Sequence, residues 1–80
     1  MGKHPNIVHQ YFRKILPEGV VIYVKVNPFH LNGIELTRFP DGSLEIRDLS
    51  FDENIFEDLA ADNFQPCNPL EFNLYYAGLA

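Results

Sequence analysis

Three histidines, one cysteine and eleven carboxylates are the side chains of this chain that could do acid–base, nucleophilic or metal chemistry. His30 stands near the tip of Asn27-Pro28-Phe29-His30-Leu31-Asn32-Gly33, a loop longer than a tight hairpin needs. An imidazole titrates near neutrality, which suits a general acid/base or a ligand contact. Phe29 and Asn32 complete a candidate ligand-binding set around it. Asn-Pro and Asn-Gly are also ordinary turn chemistry, and on that reading His30 is simply a solvated loop residue. Cys67 lies in Gln65-Pro66-Cys67-Asn68-Pro69. A nucleophilic cysteine needs a histidine or a helix N-terminus to lower its pKa. A helix opened by Pro69 would supply a little of that, but no histidine is marked as a partner. A small apolar residue in a proline-stiffened connection is the expectation, and no catalytic residue is assigned.

Metal and cofactor chemistry find no pattern. His4, His9, His30 and Cys67 show none of the CxxC, HxxxH or HExxH spacings, and His4 and His9 do not share a helical face. Asp52, Glu53, Glu57 and Asp58 lack the alternating ligands and glycine of a calcium loop. Gly33 and Gly42 are read as isolated turn glycines, not a phosphate-binding loop. Paired carboxylates for glycoside chemistry must flank a cleft, for which 80 residues leave little room. No cofactor and no metal are expected.

The carboxylates matter more as a block. Lys3, Arg13, Lys14, Lys25, Arg38 and Arg47 all precede Asp48, and with four acids they leave residues 1–47 at +2. From Asp48 onward there are seven acids and no Lys or Arg, hence −7 and a net charge of −5. Six of the seven fall between positions 48 and 62. Such a surface favours basic partners and repels nucleic acid. Asp52, Glu53, Glu57, Asp58 and Asp62 are therefore the candidate partner-binding residues, weighed against the plainer reading that a charge run is a solvated face.

The elements that must position these residues follow from turn signals and periodicity. With 46% hydrophobic and 14% aromatic residues, the chain has the composition of one folded domain. A single cysteine excludes an intrachain disulfide and fits a reducing compartment. The start shows no apolar leader, and the longest apolar run, Val20 to Val24, is too short to span a bilayer. A soluble, cytoplasmic protein is expected. Val8, Tyr11, Phe12 and Ile15 match the i, i+3, i+4, i+7 template of a helix capped by Asn6 and ended by Pro17-Glu18-Gly19. Gly19 to Val26 reads as the central strand, with Val20, Ile22, Val24 and Val26 on an aliphatic face.

Phe39-Pro40-Asp41-Gly42-Ser43 predicts a hairpin with a three-residue loop. Counting back from it sets Leu36 opposite Ile46, toward the core, and Glu35 opposite Arg47 on the solvent face. Ser50-Phe51-Asp52-Glu53 has capping-box spacing for a second, acidic helix. Leu70, Phe72, Leu74 and Tyr76 alternate as in a strand. Phe72, Tyr75, Tyr76 and Leu79 equally fit a helix capped at Asn68-Pro69. Aromatic enrichment favours the strand. The expected fold is α+β: a three- or four-stranded antiparallel sheet with two helices packed on one face, in the order α-β-β-β-α followed by a strand or short helix.

Three functions follow as expectations. The first is a non-catalytic interaction domain that meets a basic partner protein through residues 52–62. The second is a homodimer built through a sheet edge or the C-terminal aromatics. The third is a small ligand-binding or enzymatic domain using the His30 loop. Neither nucleic acid nor a membrane is an expected partner.

Overall fold

Leu16-Pro17-Glu18-Gly19-Val20 and Phe39-Pro40-Asp41-Gly42-Ser43 are two versions of one turn. In each, proline sets the first corner and glycine takes the left-handed conformation, with φ of 87° at Gly19 and 90° at Gly42. The Leu16 amide donates to the Val20 carbonyl at 2.8 Å and the Gly19 amide to Leu16 at 3.1 Å. The Phe39 amide donates to Ser43 and the Gly42 amide to Phe39, both at 2.9 Å. Asp41 accepts from the Ser43 amide and hydroxyl at 2.9 and 2.6 Å, which also lowers the pKa of its carboxyl. The two turns lie side by side, since a Cβ on Gly19 would stand 3.4 Å from the Pro40 ring.

Each turn joins two antiparallel strands in the computed structural model, which describes residues 8–78. The elements are β1 (Gln10–Ile15), β2 (Val21–Asn27), β3 (Asn32–Arg38), β4 (Leu44–Ser50), α1 (Ile55–Ala61), β5 (Gln65–Pro66) and α2 (Pro69–Tyr76). They form an α+β domain around a five-stranded antiparallel sheet ordered β4-β3-β2-β1-β5. The helix expected over residues 8–15 is therefore a strand, and its expected cap, Asn6, lies outside the described residues. The misreading has a physical cause. Tyr11 and Phe12 are neighbours that pack against two different cores, and a strand with apolar side chains on both faces has no polar alternation to distinguish it from a short helix.

β2 is the central strand, as its composition predicts. Val24 and Val26 cluster with Ile55 and Leu59 of α1. Tyr23 clusters with Leu36 and with Phe72 of α2. Successive strand residues point to opposite faces, so these are two cores, one on each side of the sheet. The expectation of both helices on one face gives way to one helix per face. Val21, Tyr23 and Lys25 include enough apolar surface to need a cover of their own.

The β3–β4 hairpin has the predicted register, with Leu36 opposite Ile46 and Glu35 opposite Arg47. Arg47 donates to Glu35 at 2.9 and 3.1 Å. Leu36 is fully buried, but Ile46 is 47% exposed. β4 is an edge strand, and α2 covers the sheet only as far as Leu36.

The helix ends follow local chemistry. Ser50 is held in β4 opposite Asn32 and cannot act in a capping box. Asp52 instead accepts the Asn54 amide at 2.9 Å, and α1 starts at Ile55 without a side-chain cap, leaving Glu53 ahead of the helix. α1 stops in a Schellman motif: Phe64 donates to the Leu59 carbonyl, Asn63 to Ala60, and Asn63 takes φ of 66°. Residues 69–76 are a helix and not the favoured strand. Asn68 accepts the Leu70 amide at 2.8 Å, and Pro69 stands in the first turn, where a missing amide proton costs nothing. Leu79, the last position of its aromatic template, lies outside the described residues.

Gly33 is part of β3 and not a turn residue. A Cβ there would overlap the Lys25 carbonyl oxygen and meet the Phe51 ring at 3.0 Å. Gly33→Ala is expected to cost about 2–4 kcal/mol, because rigid backbone must move. Urea denaturation would show it as a lowered midpoint at unchanged slope. A loss below about 0.5 kcal/mol would contradict the close approach.

Candidate functional site

Asp52, Glu53, Glu57, Asp58 and Asp62 are all exposed. At about 100° per helical residue, Glu57, Asp58 and Asp62 fall in one arc beside the buried Ile55 and Leu59. Ile55 and Leu59, one turn apart, face the sheet; Glu57 points away from it, and Asp58 and the C-cap Asp62 flank the buried stripe on one side. Among the described residues, α1 has no basic side chain in its last turn and none of these five acids forms a salt bridge.

The described cations have other partners. Arg47 holds Glu35. Arg38 lies 4.9 Å over the Tyr75 ring and donates to its hydroxyl at 2.6 Å. Lys14 sits 5.7 Å over the Phe64 ring, and Lys25 is 5.9 Å over the Tyr11 ring. Arg13 donates to both carboxylate oxygens of Glu71, at 2.8 and 2.7 Å. Tyr23 donates to the same carboxylate at 2.7 Å. Glu71 therefore pins α2 to β1 and β2. The Tyr23 bond, with Arg13 adding to it, holds its carboxyl below the usual glutamate pKa against the opposing effect of burial. Burial and the same carboxylate push the Tyr23 phenol strongly upward, so it stays a donor. No sequence signal marked this group: Glu71 is 58 positions from Arg13.

The other candidates are dispersed. In the His30 loop, Asn27 accepts the amides of Phe29 and His30 at 2.9 and 3.0 Å, and Leu31 takes φ of 56° to close the turn. Phe29 is 69% exposed, and its ring meets the exposed His30 edge-on at 4.9 Å. Asn32 instead lines an open groove of about 390 Å³ on the sheet, with His9, Lys25, Asn27, Ile34 and Asp48. Burial, then the Lys25 charge, lowers the His9 pKa. The strand register gathers these residues, which no linear spacing could show. Cys67 is half-buried against the Tyr23 core, and burial pushes its thiol pKa up, away from the thiolate a nucleophile requires. His4 lies outside the described residues. Among those described, no three His, Cys, Asp or Glu are gathered to hold a metal ion, and no helix is long and apolar enough to cross a membrane.

The Glu71 group predicts a pH dependence. A lowered folded pKa means that the ionised form contributes stability above the ordinary value of 4.5, and that this is lost as pH falls through the folded pKa. Gln at 71 still accepts from Tyr23 but loses the charge. Since Arg13 and Glu71 are partly exposed, Glu71→Gln should cost about 1 kcal/mol at pH 7. The two stability curves should converge as pH falls below the ordinary glutamate value. Curves that stay parallel across this range would mean that the charge contributes nothing.

No protein-family model, no curated protein and no solved structure matches this chain.

Proposed function

We propose that the domain is a small, non-catalytic interaction module that binds a basic protein partner through the acidic face around α1. The observation that carries this reading is the division of labour among the charges. Arg13, Lys14, Lys25, Arg38 and Arg47 are engaged by Glu71, Glu35 or aromatic rings. Asp52, Glu53, Glu57, Asp58 and Asp62 have no cation among the described residues and face solvent together. A negative surface of this kind steers a positive partner and contributes mainly to association rate and specificity. A ligand site on the sheet is the second reading. The groove with His9, Lys25 and Asp48 favours it, and of the His30 set it uses Asn32.

The test compares wild type with a Glu57→Gln, Asp58→Asn, Asp62→Asn variant as baits in native lysate, at about 50 and 300 mM salt. The expected result is a basic protein held by wild type at low salt, released at high salt and not held by the variant. A partner held equally by both baits, or insensitive to salt, would remove the acidic face from the function.

A further inference from the structure

The two edges of the sheet are unlike. β5 is two residues long and contains Pro66, which has no amide proton, so that edge offers almost nothing to a new strand. β4 runs for seven residues without proline, and all but Leu49 are exposed. No described element pairs with its outer side. The Phe39–Ser43 and Phe51–Leu31 hydrogen bonds bracket the β3–β4 ladder. Bonded pairs alternate along such a ladder, so Glu45, Arg47 and Leu49 bond to β3, while Leu44, Ile46, Asp48 and Ser50 present their amide and carbonyl groups outward.

We propose that β4 is a self-pairing edge: two copies of the chain join antiparallel with Ile46 on the two-fold axis, forming one continuous sheet. Charge and strand overlap together favour this register, since axes on Leu44 or Leu49 also avoid like charges but run the pairing past the ends of β4. With Ile46 on the axis, Ile46 faces Ile46, Leu44 faces Asp48, and Glu45 faces Arg47 twice by symmetry. Moving the axis to Glu45, Arg47 or Asp48 sets like charges directly opposite each other, which is destabilising. The outward groups of Leu44, Ile46 and Asp48 then make about six main-chain hydrogen bonds. Arg47 extends its ion pair with Glu35 into a row that ends on Glu45 of the partner. Ile46, 47% exposed, gains apolar cover from its own copy across the axis.

A single strand edge is a small interface, at the lower end of the range for specific complexes. Dimerisation is therefore expected in the micromolar range, and it is independent of the acidic face. α1 packs with β1 and β2, so Glu57, Asp58 and Asp62 stay free in the dimer.

Two measurements on the full chain test the proposal. Sedimentation from about 5 µM to 1 mM should show a shift from monomer to twice that mass. Glu45→Arg and Arg47→Glu should each weaken self-association about tenfold or more, and an equimolar mixture of the two should restore it by pairing opposite charges. In a Cys67→Ser background, Ile46→Cys should form a disulfide-linked dimer under mild oxidation. Axial residues of a bonded pair lie about 5.5 Å apart, within disulfide reach. Leu44→Cys should not, because four residues along each strand separate its copies by about 14 Å. Far-UV circular dichroism confirms that each variant is folded. Monomer at every concentration, no restoration on mixing, or equal cross-linking at positions 44 and 46 would each overturn the proposal.

Discussion

β2 is apolar on both faces, and the rest of the domain answers that constraint. Tyr23 and Val24 are adjacent, yet each needs its own cover. A chain this short cannot put a large layer on either side, so it places one short helix on each. α1 covers Val24 and Val26 with two residues, Ile55 and Leu59. α2 covers Tyr23 and Leu36 with Phe72 and meets a further requirement. The buried Tyr23 ring carries a hydroxyl that must find an acceptor, and Glu71, one residue from Phe72, supplies it. Arg13 on the neighbouring strand then neutralises the carboxylate. Helix position, core packing and polar satisfaction on that face are one solution.

The same arrangement sets the surface charge. The described cations, Arg13, Lys14, Lys25, Arg38 and Arg47, are drawn to aromatic rings and to Glu35 and Glu71, all of which belong to the sheet, to α2 or to the connection before β5. Of the acids left without an ion pair among the described residues, five lie in or beside α1, where the sequence supplies no base, and Glu18, Asp41, Glu45 and Asp48 lie in the hairpin turns and β4. The asymmetry seen along the chain thus becomes an asymmetry of the folded surface.

Two features of the surface bear on the proposed interaction role. One is an acidic face that no described cation covers. The other is β4, an edge strand that no described element pairs with on its outer side. They lie on different parts of the molecule, and a dimer through β4 would present two acidic faces at once. Two linked sites raise avidity for a bivalent partner without any new contact.

Short-range chemistry was legible in the residues alone. Pro40-Asp41-Gly42 specified a turn, the turn specified the register, and the register placed Glu35 against Arg47. Asn68-Pro69 held the information for the last helix, although the alternating aromatics pointed the other way. Leu16-Pro17-Glu18-Gly19-Val20 was the same turn signal as the second hairpin, and reading it so would have revealed β1. Composition and order also determined the charge asymmetry and the centrality of β2. Only tertiary structure decided that Tyr11 and Phe12 belong to a strand, that the helices take opposite faces, that Arg13 meets Glu71, and that His9, Lys25, Asn32 and Asp48 share a groove. The reason is the same in each case. Turns and caps are hydrogen bonds between residues a few positions apart, so the sequence contains both partners side by side. Face, edge and pairing depend on what arrives from elsewhere in the chain, and neither spacing nor propensity records that.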